Sequence, residues 1–178
     1  MRASRVAKRY ARALLELAAE QDHLEDWGAE LERLARTLTL PELAQRLASP
    51  ELPEPTRLQA ITKIAERLEL SFPLRSFAAV LARHGRIDAA SAISEAYQAL
   101  LDQRLGRARG ALTFAAQPSD SEVARVVAGL EGLVGKKVIA TVKVDRSLLG
   151  GVVAEIEGKI YDASLETKLQ EAQRRLSE

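Results

Sequence analysis

Cysteine is absent from the chain, which removes disulfide frameworks, thiolate metal sites and cysteine nucleophiles from consideration. Histidine is nearly absent too: His23 and His84 stand far apart with no H-E-x-x-H or other ligand spacing, so the sequence supplies no metal motif. Aromatic residues make up only 4% of the chain and proline and glycine number 6 and 10, a profile that favours helices. An excess of charge of one sign is also missing. Lys and Arg total 26 against 25 Asp and Glu, and splitting the chain at Leu105 leaves both parts close to neutral, without the positive field of a nucleic-acid binder. No long apolar run exists either. The longest uncharged stretch, Gly110 to Ser119, is about half of what a bilayer-spanning helix needs. Five bases and no acid fall in the first twelve residues, but no apolar signal core follows, so this opening reads as mature protein.

What is present is an ordinary globular balance, 47% hydrophobic and 29% charged over 178 residues, enough for one or two small cores. From Ser4, a candidate N-cap, to about Leu105 the apolar residues recur at helical spacing. The first helix lines up Val6, Tyr10, Ala13, Leu14 and Leu17, and the second Leu24, Trp27, Leu31, Leu34 and Leu38. Further helices are expected over Glu42 to Ala48, Pro55 to Leu70, Pro73 to His84 and Ile87 to Leu105, with Gly85 as a stop. After Gly106 the pattern changes. A strand is expected over Gly110 to Ala116, then a helix opened by a Ser119/Glu122 capping box and closed by Gly135. Val138 to Val144 reads as a half-buried strand, and Val152 to Glu157 as another, joined tightly to a short strand at Ile160 and Tyr161. A last helix carries Leu165, Leu169, Ala172 and Leu176 inward. The expectation is an α+β protein, mostly α: an N-terminal six-helix bundle over residues 1–105, then a small β-α-β-β-α domain over 106–178.

A search for chemistry finds no catalytic constellation. No G-x-S-x-G surrounds a serine, and Glu155 and Glu157 share a strand face that reads as solvent-facing. Gly129 to Lys137 superficially resembles a phosphate loop. Its glycine spacing is one residue too long, Lys137 stands where Ser or Thr would hold magnesium, and the segment ends a helix instead of starting one. Lys136 and Lys137 read as favourable charges at a helix C-terminus. Two features resist a purely structural reading. Arg2, Arg5, Lys8, Arg9 and Arg12 crowd bases at the positive end of a helix dipole, with like charges four apart, so either acids of neighbouring helices such as Glu25 or Glu30 neutralise them or a partner does. A membrane surface is a third candidate. The second feature is Asp145-Arg146-Ser147-Leu148-Leu149-Gly150-Gly151, a greasy turn with paired glycines that fits either a packed corner or a docking site.

These segments resemble the delta subunits of bacterial F-type ATP synthase, counterparts of the mitochondrial oligomycin sensitivity-conferring protein. Val6-Ala7-Lys8-Arg9-Tyr10-Ala11-Arg12-Ala13-Leu14 is similar to the family's V-A-x-x-Y-A-x-A-L/F opening, and Trp27 falls where a tryptophan often stands. The segment ending His84-Gly85-Arg86-Ile87 resembles its N/H-G-R-L/I helix end. Val144 to Val153, with Gly158-Lys159-Ile160-Tyr161-Asp162-Ala163-Ser164-Leu165 and Lys168-Leu169, resembles its D-P-S-L-I-G-G…G-D-K-V-I-D-G-S-V-R-x-K-L block. Arg146 departs from the usual proline, Ala163 from glycine and Glu166 from arginine.

The resemblance implies a non-catalytic stator protein without cofactor or metal, peripheral on the cytoplasmic side of the bacterial membrane and touching the membrane only through its complex. Between its first and fifth helices the N-terminal bundle would grip the N-terminal helix of an alpha subunit, and its C-terminal part would join the b subunits of the peripheral stalk. Contacts with the alpha chain are expected at Tyr10, Ala13, Leu14, Leu17, Trp27, Phe77, Val80, Leu81 and His84. For the b subunits they are Leu148, Leu149, Gly150 and Gly151, with the terminal helix as an equal alternative. Two rivals from other classes are a helical adaptor or membrane-surface protein unrelated to ATP synthesis, and an enzyme whose site is assembled from distant residues.

Overall fold

The computed structural model describes residues 5–49 and 51–177, with the side chains of 168, 171, 172 and 175–177 outside the description. Expectations that fall on Arg2, Ser4 and the side chains of Ala172 and Leu176 therefore lie outside the described residues. The chain is α+β and mostly helical, and it divides into two compact units between Leu101 and Asp102.

The first unit holds α1 (Arg5–Glu20), α2 (Leu24–Leu38), α3 (Pro41–Ala48), α4 (Glu54–Arg67), α5 (Phe72–Arg83), a 3-10 turn (Ile87–Ala89) and most of α6 (Ala90–Arg104). Proline in the first turn of α3, α4 and α5 supplies a helical φ where no N–H is needed. The seam of α2 is buried as its spacing predicts: Trp27, Leu31, Leu34 and Leu38 all lie in the core, as do Leu74, Phe77, Ala78 and Leu81 of α5. Two polar contacts tie distant elements. Glu30 of α2 accepts hydrogen bonds from the Ser71 N–H (2.7 Å) and Oγ (2.8 Å), placing a carboxylate at the positive end of α5. Tyr97, fully buried on α6, donates its hydroxyl to the Leu24 carbonyl at 2.8 Å.

The second unit contains β1 (Arg107–Phe114), α7 (Asp120–Val134), β2 (Lys137–Val144), β3 (Val152–Ile156), β4 (Lys159–Asp162) and α8 (Leu165–Ser177). The order is thus β-α-β-β-β-α, because the short Ile160–Tyr161 strand is a full member of the sheet. The sheet is mixed, in the order β2-β1-β3-β4, with β2 parallel to β1 and the other pairs antiparallel. The Ser119/Glu122 capping box forms, and Gly135 ends α7 at φ 68° with its N–H on the Glu131 carbonyl, a left-handed position that a glycine occupies without Cβ strain. Its hydrophobic core is small: seven fully buried residues among those described, from Ala108 and Leu112 of β1 to Leu130 of α7 and Ile156 of β3.

Three expectations need correction. β1 begins at Arg107 and ends at Phe114, against the expected Gly110 to Ala116, because its central place between β2 and β3 is set by backbone pairing and tolerates charged side chains. Near the end of α6, Asp102 is held by Arg109 of β1. In β2 only Val138 is fully buried, and Val142 and Val144 are exposed on a strand that forms the sheet edge. Leu165 and Leu169 of α8, expected inward, are 48% and 64% exposed, since α7 already supplies the helical cover of this small core.

The paired glycines are explained by packing within the second unit. The Leu165 N–H reaches the Gly150 carbonyl and the Ala163 N–H the Val152 carbonyl, both at 2.9 Å, so the chain before α8 lies directly on the loop. A Cβ at Gly151 (φ 85°) would stand 2.9 Å from the Ser164 Cα and closer still to the Ala163 carbonyl oxygen. A Cβ at Gly150 would run into Leu165.

Gly151→Ala is accordingly expected to destabilise the second unit by about 2 kcal/mol or more, read as faster amide exchange in β3 and β4 with the first unit unaffected. Burial pushes the Tyr97 phenol up to about 12 from its ordinary 10. The folded state therefore holds this proton more tightly than the unfolded chain. Its contribution is intact below pH 10 and is lost as pH climbs toward about 12. Tyr97→Phe should lose about 1 kcal/mol at neutral pH but show a flatter alkaline limb in pH-dependent melts.

Candidate functional site

The residues with chemical potential are engaged structurally. His23 pairs with Asp26 at 2.9 Å on an exposed turn, and His84 is the exposed C-cap of α5. Among the described residues no three His, Cys, Asp or Glu side chains converge in a way that could hold a metal. Gly129 to Lys137 closes α7, and the Lys136 ammonium is held by the Glu157 carboxylate at 2.7 Å. Glu157 itself lies in the β3–β4 turn and not on the strand face with Glu155.

On the first unit, α1 and α5 meet at Tyr10 and Phe77, whose rings stand edge to face with centroids 5.9 Å apart. The buried face of α1 consists of Ala7, Ala11, Leu14, Leu15 and Ala18. That leaves a second apolar flank at the surface. Tyr10 is half-buried, Ala13 exposed and Leu17 47% exposed, and on α5 Val80 is 37% exposed. Leu14, Trp27 and Leu81 do not belong to this flank. They are core residues: Leu14 shares the inward face with three alanines, Trp27 sits in the buried seam of α2, and Leu81 lies on the inner side of α5. Phe77 is buried but reaches the flank through Tyr10.

Sequence reasoning missed Arg86. Its guanidinium lies 6.0 Å from the Tyr10 ring centroid, which the Arg9 guanidinium also approaches at 5.9 Å, and its Nη1 is buried without a hydrogen-bond partner. The available signal was charge pattern: residues 70–87 contain Arg75, Arg83 and Arg86 and no acid.

On the second unit, the 145–151 loop is stapled at its start. Asp145 accepts hydrogen bonds from the Ser147 Oγ (2.7 Å) and N–H (2.9 Å), which hold its carboxyl below the usual carboxylate range. Asp162 organises the turn before α8 in the same way, accepting from the Ser164 N–H and the Thr167 Oγ1 at 2.8 Å each, and its pKa is lowered chiefly by the Ser164 backbone bond. Between these staples Leu149 is 73% exposed and Leu148 half-buried. Leu149, Gly150 and Gly151 border an open cleft of about 650 Å³ whose other wall includes Phe114, Pro118 and Val126. Leu149 is presented outward, while Leu148 is half-buried and the glycines are taken up by contact with the chain before α8.

The described residues thus leave apolar side chains exposed in two places, on α1 and α5 of the first unit and on the 145–151 loop of the second. Residues 6–176 match the family described as ATP synthase delta (OSCP) subunit. The ATP synthase subunit delta of Syntrophobacter fumaroxidans is 35% identical over 165 residues, covering 92% of this chain and 90% of that protein. That of Nitratidesulfovibrio vulgaris is 36% identical over 167 residues, covering 92% and 91%. Among solved structures, a chain of the Toxoplasma gondii mitochondrial ATP synthase hexamer superimposes with a TM-score of 0.68 over 98% of this chain and 99% of that one; at 17% identity this is a likeness of fold. On its sequence relatives and the family match along almost its whole length, the chain belongs to the ATP synthase delta (OSCP) subunit family.

Proposed function

We propose that this chain joins the two fixed parts of a bacterial F-type ATP synthase through separate docking surfaces, one on each unit. As a delta-family member it is a non-catalytic stator component of the proton-translocating enzyme. It links the catalytic head to the peripheral stalk and resists rotor torque during ATP synthesis. No described helix is long and apolar enough to cross a membrane, and the proposed location is peripheral, on the cytoplasmic side.

The N-terminal unit, read as a six-helix bundle, takes the N-terminal helix of an alpha subunit into the groove of α1 and α5. The observation that carries this is the apolar flank of exposed Ala13, Leu17 and Val80 with half-buried Tyr10, left at the surface beside a buried core. An amphipathic helix binds such a groove by seating apolar residues spaced three and four apart, and Ala13 lets its backbone approach. The C-terminal unit takes the b subunits on the surface formed by Leu148, Leu149, Leu165 and Leu169, with Gly150 and Gly151 shaping it from beneath.

Calorimetric titration of the full chain with a peptide of the alpha N-terminal helix checks the first surface. Ala13→Asp should weaken binding on the order of 100-fold, the equivalent of desolvating a carboxylate at a cost of about 3 kcal/mol, with an unchanged melting curve because Ala13 is exposed. Undiminished binding overturns the placement. Leu149→Asp should weaken capture of a segment from the C-terminal end of the b polypeptide and leave the alpha peptide's affinity alone; equal loss of both, or of neither, contradicts two separate surfaces.

A further inference from the structure

The net charge of +1 conceals an uneven distribution. In α1 the bases Arg5, Lys8, Arg9 and Arg12 precede the first acid, Glu16, and α5 with the turn after it holds Arg75, Arg83 and Arg86 and no acid. Of the two neighbouring acids expected to offset α1, Glu25 and Glu30, the second is bound to Ser71 at the start of α5. Like charges four residues apart on one helix each cost a few tenths of a kcal/mol, and bases at a helix N-terminus oppose its dipole.

The imbalance is sharpest at Tyr10. Two guanidinium groups, of Arg9 and Arg86, lie about 6 Å from the centroid of this one ring. The ring quadrupole attracts each of them but supplies no counter-charge. The backbone N–H of Arg86 is fixed on the Leu81 carbonyl at 2.9 Å, so its side chain leaves from a rigid point beside α5. Its buried Nη1 has no acceptor among the described residues, a cost that is relieved if the guanidinium turns outward to meet an anionic oxygen.

We propose that the helix docked between α1 and α5 carries a carboxylate that seats against Arg9 and Arg86 at Tyr10, so that this groove selects an acidic amphipathic helix. The proposal rests on the groove reading given under Proposed function and adds its chemical specificity. Tyr10 and Leu17 are seven residues apart on α1, about 10 Å along the axis, so the partner's acid stands about two turns from its farthest apolar anchor. Bidentate recognition of a carboxylate suits the planar guanidinium, and uncompensated bases at the rim raise the association rate at low salt.

The test uses the full chain, with fluorescence anisotropy of two probes: the alpha N-terminal peptide, and the same peptide with every Asp and Glu replaced by Asn and Gln. The expected result at low salt is at least about a tenfold weaker affinity for the amide peptide, with the gap narrowing as salt rises. Arg86→Gln should weaken the acidic peptide about tenfold and leave the amide peptide unchanged, a non-additive cycle, while Arg86→Lys restores part of the loss. Equal affinity for both peptides, or an Arg86→Gln loss shared equally by both, overturns the carboxylate assignment and leaves the groove reading standing. Failure of the acidic peptide to bind overturns both. Capture of the chain by phosphatidylglycerol but not phosphatidylcholine vesicles, without peptide binding, assigns these bases to a lipid surface and likewise overturns the proposal.

Discussion

The close seating of α1 on the core through small side chains is the constraint on which the first unit's surface depends. Ala7, Ala11 and Ala18 are fully buried, with Leu14 and Leu15 beside them. A face built on alanine buries little width, so the helix satisfies its core obligation with one stripe and still carries Tyr10, Ala13 and Leu17 on a second. Core packing disposes of the first stripe; the second stays partly open, with Tyr10 half-buried against Phe77 and Ala13 and Leu17 exposed. The edge-to-face contact of Tyr10 with Phe77 then ties that flank to α5, so the proposed docking surface has a floor that is part of the core. Rigidity of this kind is what a stator needs, because torque is resisted by buried area and fixed geometry and not by a titrating group.

The second unit solves a different problem. With a core of seven fully buried residues among those described, its sheet relies on turn chemistry to set its loops. Asp145 and Asp162 each accept hydrogen bonds from a serine two residues on, and Glu122 reciprocates with Ser119 at the start of α7; all three carboxyl groups are held below their ordinary range by these bonds. Their stabilisation is present above the ordinary carboxylate range and is lost as acid protonates them. Between the Asp145 and Asp162 staples Leu149 is left uncovered, which is why the proposed stalk contact is placed there.

Helices with strong seams are legible in the sequence. Trp27, Leu31, Leu34 and Leu38 recur at steps no strand could use, and Ser119 with Glu122 and Gly135 marks both ends of α7. The face of α1 is harder to read. Alanines sit on both sides of it, so periodicity does not choose between the Ala7/Ala11 stripe and the Tyr10/Ala13 stripe, and Leu14, which fits either by spacing, belongs to the core. Gly150 and Gly151 signal a special backbone without saying what approaches it; the answer, the chain from Ala163 to Leu165, is distant in sequence. The proposed role of Arg86 is invisible in the sequence because it rests on a buried nitrogen without a partner and on a shared aromatic ring, both products of tertiary packing.

The central claim is the proposal that one chain holds the head with one unit and the stalk with the other, at the same time. Native mass spectrometry of the full chain mixed with the alpha N-terminal peptide and a segment from the C-terminal end of the b polypeptide tests it most directly. The account predicts a complex containing all three components, with each peptide's affinity unaltered by the presence of the other. Mutual displacement of the two, or the absence of any three-component species when both are saturating, would contradict it.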